Sequence, residues 1–193
     1  MVTEDHGTWD CCPEDAFAVK KLLTKGAVEV HHENYWLAPH GKPAEFVLDL
    51  GCNKIVNVVK LVNTHNGDHR DRSSKEIKVS ISSSRAGPWS QVLHETLEDS
   101  RKQSDPLPVL SFPIYNEDDG EEEFTARFVK FNLISWYGGG GGLQYFAVKK
   151  GEKPHTMSLC HDVQSNSQTF YIYSSRNILL ETFHSNQNFI WQM

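Results

Sequence analysis

Cysteine is scarce in this chain: four residues in 193, Cys11, Cys12, Cys52 and Cys160. Too few for a dense disulfide framework, they also lack the paired spacing of a zinc site. Positive charge is in deficit as well. Nineteen bases stand against 25 acids, a net charge of -6, so no nucleic-acid partner is expected, since phosphate binding leans on a basic surface. No apolar run approaches the ~20 residues of a membrane span. Residues Met1 to Asp10 lack the basic-then-apolar pattern of a signal peptide, and no Asn-x-Ser/Thr sequon occurs. Catalytic signatures are missing too. His31-His32-Glu33 is not His-Glu-x-x-His, and there is no Gly-x-Ser-x-Gly elbow. These absences leave a protein that folds on its own core and is not an enzyme.

What is present is β-pattern. Ile77, Val79 and Ile81 alternate with Lys78, Ser80 and Ser82, and Val129, Phe131 and Leu133 alternate with Lys130 and Asn132. Phe128 is off that pattern and suggests a bulge. Phe46, Leu48 and Leu50 share one strand face, after which Gly51 and Asn53 are expected to turn the chain. Ile55 to Val62 is nearly unbroken apolar sequence, expected of a strand buried on both faces. Further strands are expected over 89–97, over 107–114 at a proline-interrupted edge, and over 143–148. Pro13, Glu14 and Asp15 at one end and Lys20, Lys21, Lys25 and Gly26 at the other predict one short helix of about three turns. With no βαβ alternation, the expected class is all-β: an antiparallel, jelly-roll-like β-sandwich with one short N-terminal helix. Residues 1–150 form that domain. Residues 151–193, rich in Ser, Asn and Gln yet carrying apolar clusters, form an extension expected to add a strand or two or an oligomer contact.

The stretch from Asn63 to Arg72 is charged and hydrogen-bonding, between two segments that can form little but strand. If each connection reverses the chain, loops 31–45, 64–74, 98–106 and 135–142 fall at one end, and the turns at 51–54, 83–88 and 115–123 at the other. The first end gathers Tyr35, Trp36, His40, His65, Asn66, Asp68, His69, Arg70, Asp71, Arg72, Trp136 and Tyr137. Planar donors and acceptors beside aromatic rings suit a sugar, while exposed aromatics ringed by bases suit a lipid headgroup layer. Burial under the loops is the competing role for Trp36 and Trp136. The acidic run Asn116 to Glu123 reads as a solvated turn rather than a calcium site.

The runs Tyr35-Trp36-Leu37-Ala38-Pro39 and Pro43-Ala44-Glu45-Phe46-Val47-Leu48-Asp49-Leu50-Gly51 resemble the discoidin, or coagulation-factor type C, family. So do Lys75 to Ser82 leading to Trp89, and Ala126 to Phe131 leading to Gly142 to Val148. The resemblance spans roughly residues 27 to 149. It implies a galactose-binding-like β-sandwich without catalytic chemistry, which binds glycan in the manner of a lectin, lipid headgroups or proteins through loops at one end. A protein-interaction adaptor using the same loops is the alternative. The family often ties its ends with a disulfide, which implies Cys11 or Cys12 with Cys160. Some members hold a structural calcium, for which this chain offers His31, His32, Glu33, Asn34 and Gln144. Fucose is not implied, because that branch's motif lacks its usual spacing here. An extracellular or secreted setting is expected, with the cytoplasm as alternative, where all four thiols would be reduced.

Overall fold

A computed structural model describes residues 1–9, 16–23, 35–114 and 124–150, and the backbone of 169–174 and 177–182. The chain forms two compact units, Met1–Glu152 and Lys153–Met193. In the first, the strands are β1 (Val2–His6), β2 (Trp36–Leu37), β3 (Ala44–Val56), β4 (Val58–Asn63), β5 (Arg72–Ser74), β6 (Glu76–Ser82), β7 (Ser90–Thr96), β8 (Leu110–Pro113), β9 (Phe124–Leu133), β10 (Trp136–Gly138) and β11 (Gly142–Lys149). One sheet runs β1-β3-β9-β6-β7, a second β2-β11-β4-β8, and β10 with β5 makes a short ribbon. Every ladder is antiparallel.

The alternating residues bury one face of each strand. Ile77, Val79 and Ile81 of β6 and Val129, Phe131 and Leu133 of β9 enter the core, while Lys78, Lys130 and Asn132 stay half-exposed. Opposite them, β4 and β11 send in Val59, Leu61, Leu143 and Phe146. The sheets meet through aromatic rings. Phe46 stacks on Phe131 at 5.0 Å, and Phe146 meets both edge-on at 5.5 Å, a geometry that adds to the area buried. The proline-interrupted segment is an edge, as β8 lies outermost in its sheet.

Several expectations need correction. The described part of the N-terminal helix is a 3-10 segment, Val19–Leu23, with Val19 and Leu22 buried. Three residues per turn put that pair on one face, which is the face that packs. The chain does not turn at Gly51: β3 continues to Val56 through a bulge between Asp49 and Lys54. The irregularity anticipated at Phe128 is therefore carried by β3. Segment 55–62 is two strands in different sheets, because the chain crosses at Asn57, whose N–H donates to Lys149 O and whose carbonyl accepts from Ile114 N. β4 is two-faced over its first half, with Val59 and Leu61 inward and Lys60 half-exposed. β1 was not anticipated, since Val2–His6 has little apolar pattern and is held as an edge on β3. In the second unit β12 (Thr169–Ser174) and β13 (Asn177–Thr182) pair antiparallel, Tyr171 opposite Leu180. Cys11, Cys12, Cys160, His31 to Asn34 and the acidic run lie outside the described residues.

Candidate functional site

The four loops expected at one end meet there and are bonded to one another. Ala38 N donates to Gly141 O, Gly41 N to Gly139 O, Gly139 N to Asp71 O at 2.7 Å, and Ser73 N to Gly140 O. The fourth loop joins through Ser100, whose Oγ donates to Thr64 O at 2.6 Å. Together they form a rim.

Beneath the rim lies a buried polar network. Asn63 Nδ2 donates to Ser74 O at 2.9 Å and to Ser73 Oγ, while its Oδ1 accepts from Thr64 N and Ser74 N. Ser73 Oγ also accepts from Ser100 N, and Ser74 Oγ donates to Gly142 O at 2.7 Å. Side chains here replace the ladder that irregular backbone cannot make, which is how loop ends are buried without orphaned groups. The five-glycine run is part of this joint. Gly138 has φ +74°, and a Cβ there would strike Asp71 O and Arg101 Nη1; one on Gly140 would strike Arg72 Nη1. Backbone passes where no side chain fits.

The residues expected to bind separate into a buried and an exposed set. Trp36 is 0% exposed and meets Phe46 and Phe131 edge-on at 5.3 and 5.8 Å. It is a core residue, whose truncation should cost about 3–5 kcal/mol by opening a cavity. Arg72, 1% exposed, lies with its guanidinium 4.1 Å over Trp9 and donates from Nη1 to Ala38 O at 2.7 Å. It braces one loop against another and does not face outward. His65 is also buried, with Nε2 2.9 Å from Asp105 Oδ1. A carboxylate only accepts, so Nε2 carries the proton, and Nδ1 has no partner among the described residues. Trp136 is half-buried against the core. Asn66 is buried in the left-handed region at φ 65°, ψ 45°. Its Nδ2 donates to Asp71 Oδ1 at 2.7 Å and its Oδ1 accepts from Tyr35 OH at 3.2 Å.

The exposed set is His40, Asp68, His69, Arg70 and Asp71, with Tyr137 half-buried beside it. Arg70, left-handed at φ 47°, donates from Nη1 to Arg101 O and Gln103 O at 3.1 and 2.9 Å, so it ties loop 66–72 to loop 98–106. Arg101 was not anticipated, having nothing but an unremarkable place in a polar stretch to mark it. Its Nε and Nη2 grip Asp99 at 2.9 and 2.8 Å, its guanidinium lies 6.0 Å from the Tyr137 ring, and its Nη1 packs where a Gly138 Cβ would be. The hydrogen bond from Arg101 holds the Asp99 carboxyl below its usual value, and the bond to Asp99 raises Arg101, with smaller contributions from the charges of Asp99, Asp71 and Tyr137. On the other side of the glycines, the His40 ring sits against Gly139. Lys75 Nζ, at 5.4 Å, shares the Tyr137 ring with Arg101. The candidate site is thus Gly138 and Gly139 with the Asp71 carbonyl, the His40 ring and the Arg101 guanidinium against them and Tyr137 beside Arg101. Among the described residues no three His, Cys, Asp or Glu side chains gather as a metal would need.

No family model matches the sequence, and no curated protein matches it. Solved structures do. The chain is similar to the family 32 carbohydrate-binding module of Streptococcus pneumoniae EndoD, at 10% identity and TM-score 0.56 over 78% of this chain and 95% of that one. It is similar to CpGH89CBM32-5 from Clostridium perfringens, solved with GalNAc-beta-1,3-galactose, at 12% identity and TM-score 0.54 over 76% and 93%. It is also similar to chitosan-binding module 1 of a chitosanase/glucanase from Paenibacillus sp. IK-5, at 16% identity and TM-score 0.51 over 70% and 87%. The shared feature is the fold. The β-sandwich is the one these modules use, the galactose-binding-like architecture that the discoidin resemblance implies.

Proposed function

We propose that the chain is a non-catalytic carbohydrate-binding module that grips a glycan at the rim. The observation that carries this reading is the cluster of uncommitted hydrogen-bonding groups on a rigid floor. Among the described residues the side chains of His40, Asp68 and His69 make no hydrogen bond, Asp71 Oδ2 accepts none, and Arg101 Nη1 is spared by Asp99. Loops braced from below hold the backbone that carries these groups, so a ligand has only side chains to order, which lowers the entropic cost of binding. A fold shared with modules named for carbohydrate binding agrees with that use.

A lipid layer is a poorer fit. The large apolar side chains exposed among the described residues are Met1, Leu23, Val109 and Ile134, none of them on the 38–41, 66–72 or 138–140 segments. Insertion into a headgroup layer needs apolar residues at the tips. No helix among the described residues is long and apolar enough to cross a membrane. The same reading puts the module outside the cell, where glycans are displayed. A glycan array run with and without calcium tests it: binding that Asp71→Ala weakens at least about tenfold is expected, and silence across the array would overturn the proposal.

A further inference from the structure

The far end of the sandwich holds a cavity that binding at the rim does not use. It lies between the last residues of β3 and of β11, one strand from each sheet, and measures about 380 Å³. The two strand ends are fixed side by side, because the Asn57 N–H donates to Lys149 O at 3.1 Å. Leu50, Ile55, Val56 and Val148 line the cavity together with Lys54, Lys149 and Lys150. Leu50 and Val148 also pack on the core, so this apolar surface belongs to the folded frame. The three lysines are exposed, and among the described residues no acidic side chain lines the cavity. The side chains of Lys54 and Lys149 enter no hydrogen bond or ion pair among those residues. Asp49, next to Leu50 in sequence, is committed to Arg127.

We infer that this cavity is a second binding site, for a free apolar carboxylate of the medium-chain fatty acid class. Its size is that of a small-molecule site. Aliphatic side chains meeting a hydrocarbon body release water from both, which drives the body in. A lysine lays its stem along such surface and keeps its ammonium in water. The positive charges therefore stand at the mouth, where the acid group of a chain inserted tail-first would come to rest. A sugar fits this lining poorly, since its hydroxyls would be buried against aliphatic groups without partners. A bare inorganic anion fits poorly too, because it leaves the apolar surface wet. The site is independent of the glycan reading and lies at the opposite end of the sandwich.

The test is a magnetic resonance titration of the isotope-labelled chain with decanoate, kept below the concentration at which it forms micelles. Amides at Leu50, Ile55, Val56, Val148 and Lys149 should shift, and those of Gly138 and Gly139 should stay still. Decanoate should bind about tenfold more tightly than decyltrimethylammonium and about fivefold more tightly than octanoate. Lys54→Gln combined with Lys149→Gln should weaken decanoate about fivefold and leave decanol unchanged. Both lysines are exposed, so that variant keeps the fold. Ile55→Asn should weaken decanoate and decanol alike; should it fail to melt cooperatively, the ligand series on wild type decides. Equal binding of the anionic and cationic chains, or acetate binding as well as decanoate, would overturn the assignment. So would silence at the cavity, including silence lifted by changing Glu121, Glu122 and Glu123 to Gln, which would give the cavity to the chain's own acidic run.

Discussion

The two ends of the sandwich use the same residue types in opposite ways. At the rim, Arg72, Asn63, Ser73, Ser74 and Ser100 are buried, and their side chains bond backbone groups of the rim. At the far end the polar contacts include exposed ion pairs, among them Arg127 Nε and Nη2 to Asp49 at 3.0 Å, with the Arg127 side chain 45% exposed. Gly51 N also donates to Asp49 at 2.7 Å. The rim places its polarity where no water competes, so each bond is costly to break; the far end leaves its pair to the solvent, where a pair contributes little. A rigid rim and a tolerant far end suit the binding role proposed for the rim.

The largest break in this contrast is expected from Arg72→Met. It keeps bulk but removes the donor to Ala38 O and the charge over Trp9, and should cost about 3 kcal/mol in urea unfolding. The next pair compares like with like. Gly138 and Gly51 both have positive φ, +74° and +86°, but only Gly138 has neighbours where a Cβ would go. Gly51→Ala should therefore cost about 1 kcal/mol for backbone strain alone, and Gly138→Ala roughly twice that or more. Equal losses would show that the rim is softer than described. The smallest effect is expected at Asp49. The Arg127 side chain, then the Gly51 N–H, hold its carboxyl down to about 2 from 3.8. A depressed carboxyl favours folding above its unfolded value and loses that contribution as pH falls. Asp49→Asn should thus lower stability slightly at pH 7, the exposed pair contributing little, and the difference from wild type should fade between about pH 4 and pH 2, where the native carboxyl takes up its proton.

Much of the sandwich is legible in the chain, because a strand with one buried face must alternate, as Ile77 to Ser82 and Val129 to Leu133 do. The end at which the loops gather is legible too, since antiparallel neighbours reverse at every connection. The inside of the rim is not. Nothing local distinguishes buried Arg72 from exposed Arg70 two residues before it; only Trp9 and Ala38, 63 and 34 positions away, decide between them. Trp36 reads as a loop aromatic until Gly142 and Leu143 pair with it and Leu37. Five glycines suggest slack in a sequence, and here Gly138 and Gly140 thread a crowded joint. Arg101 becomes visible only when Gly138 is placed beside it.

The most direct test of the whole account is a nuclear magnetic resonance titration of the isotope-labelled chain with a glycan taken from the array. The amide shifts should move at His40, Asp71, Arg101, Tyr137, Gly138 and Gly139, and stay still around Leu50 to Lys54. Shifts centred on Leu50 to Lys54 with a silent rim would contradict it.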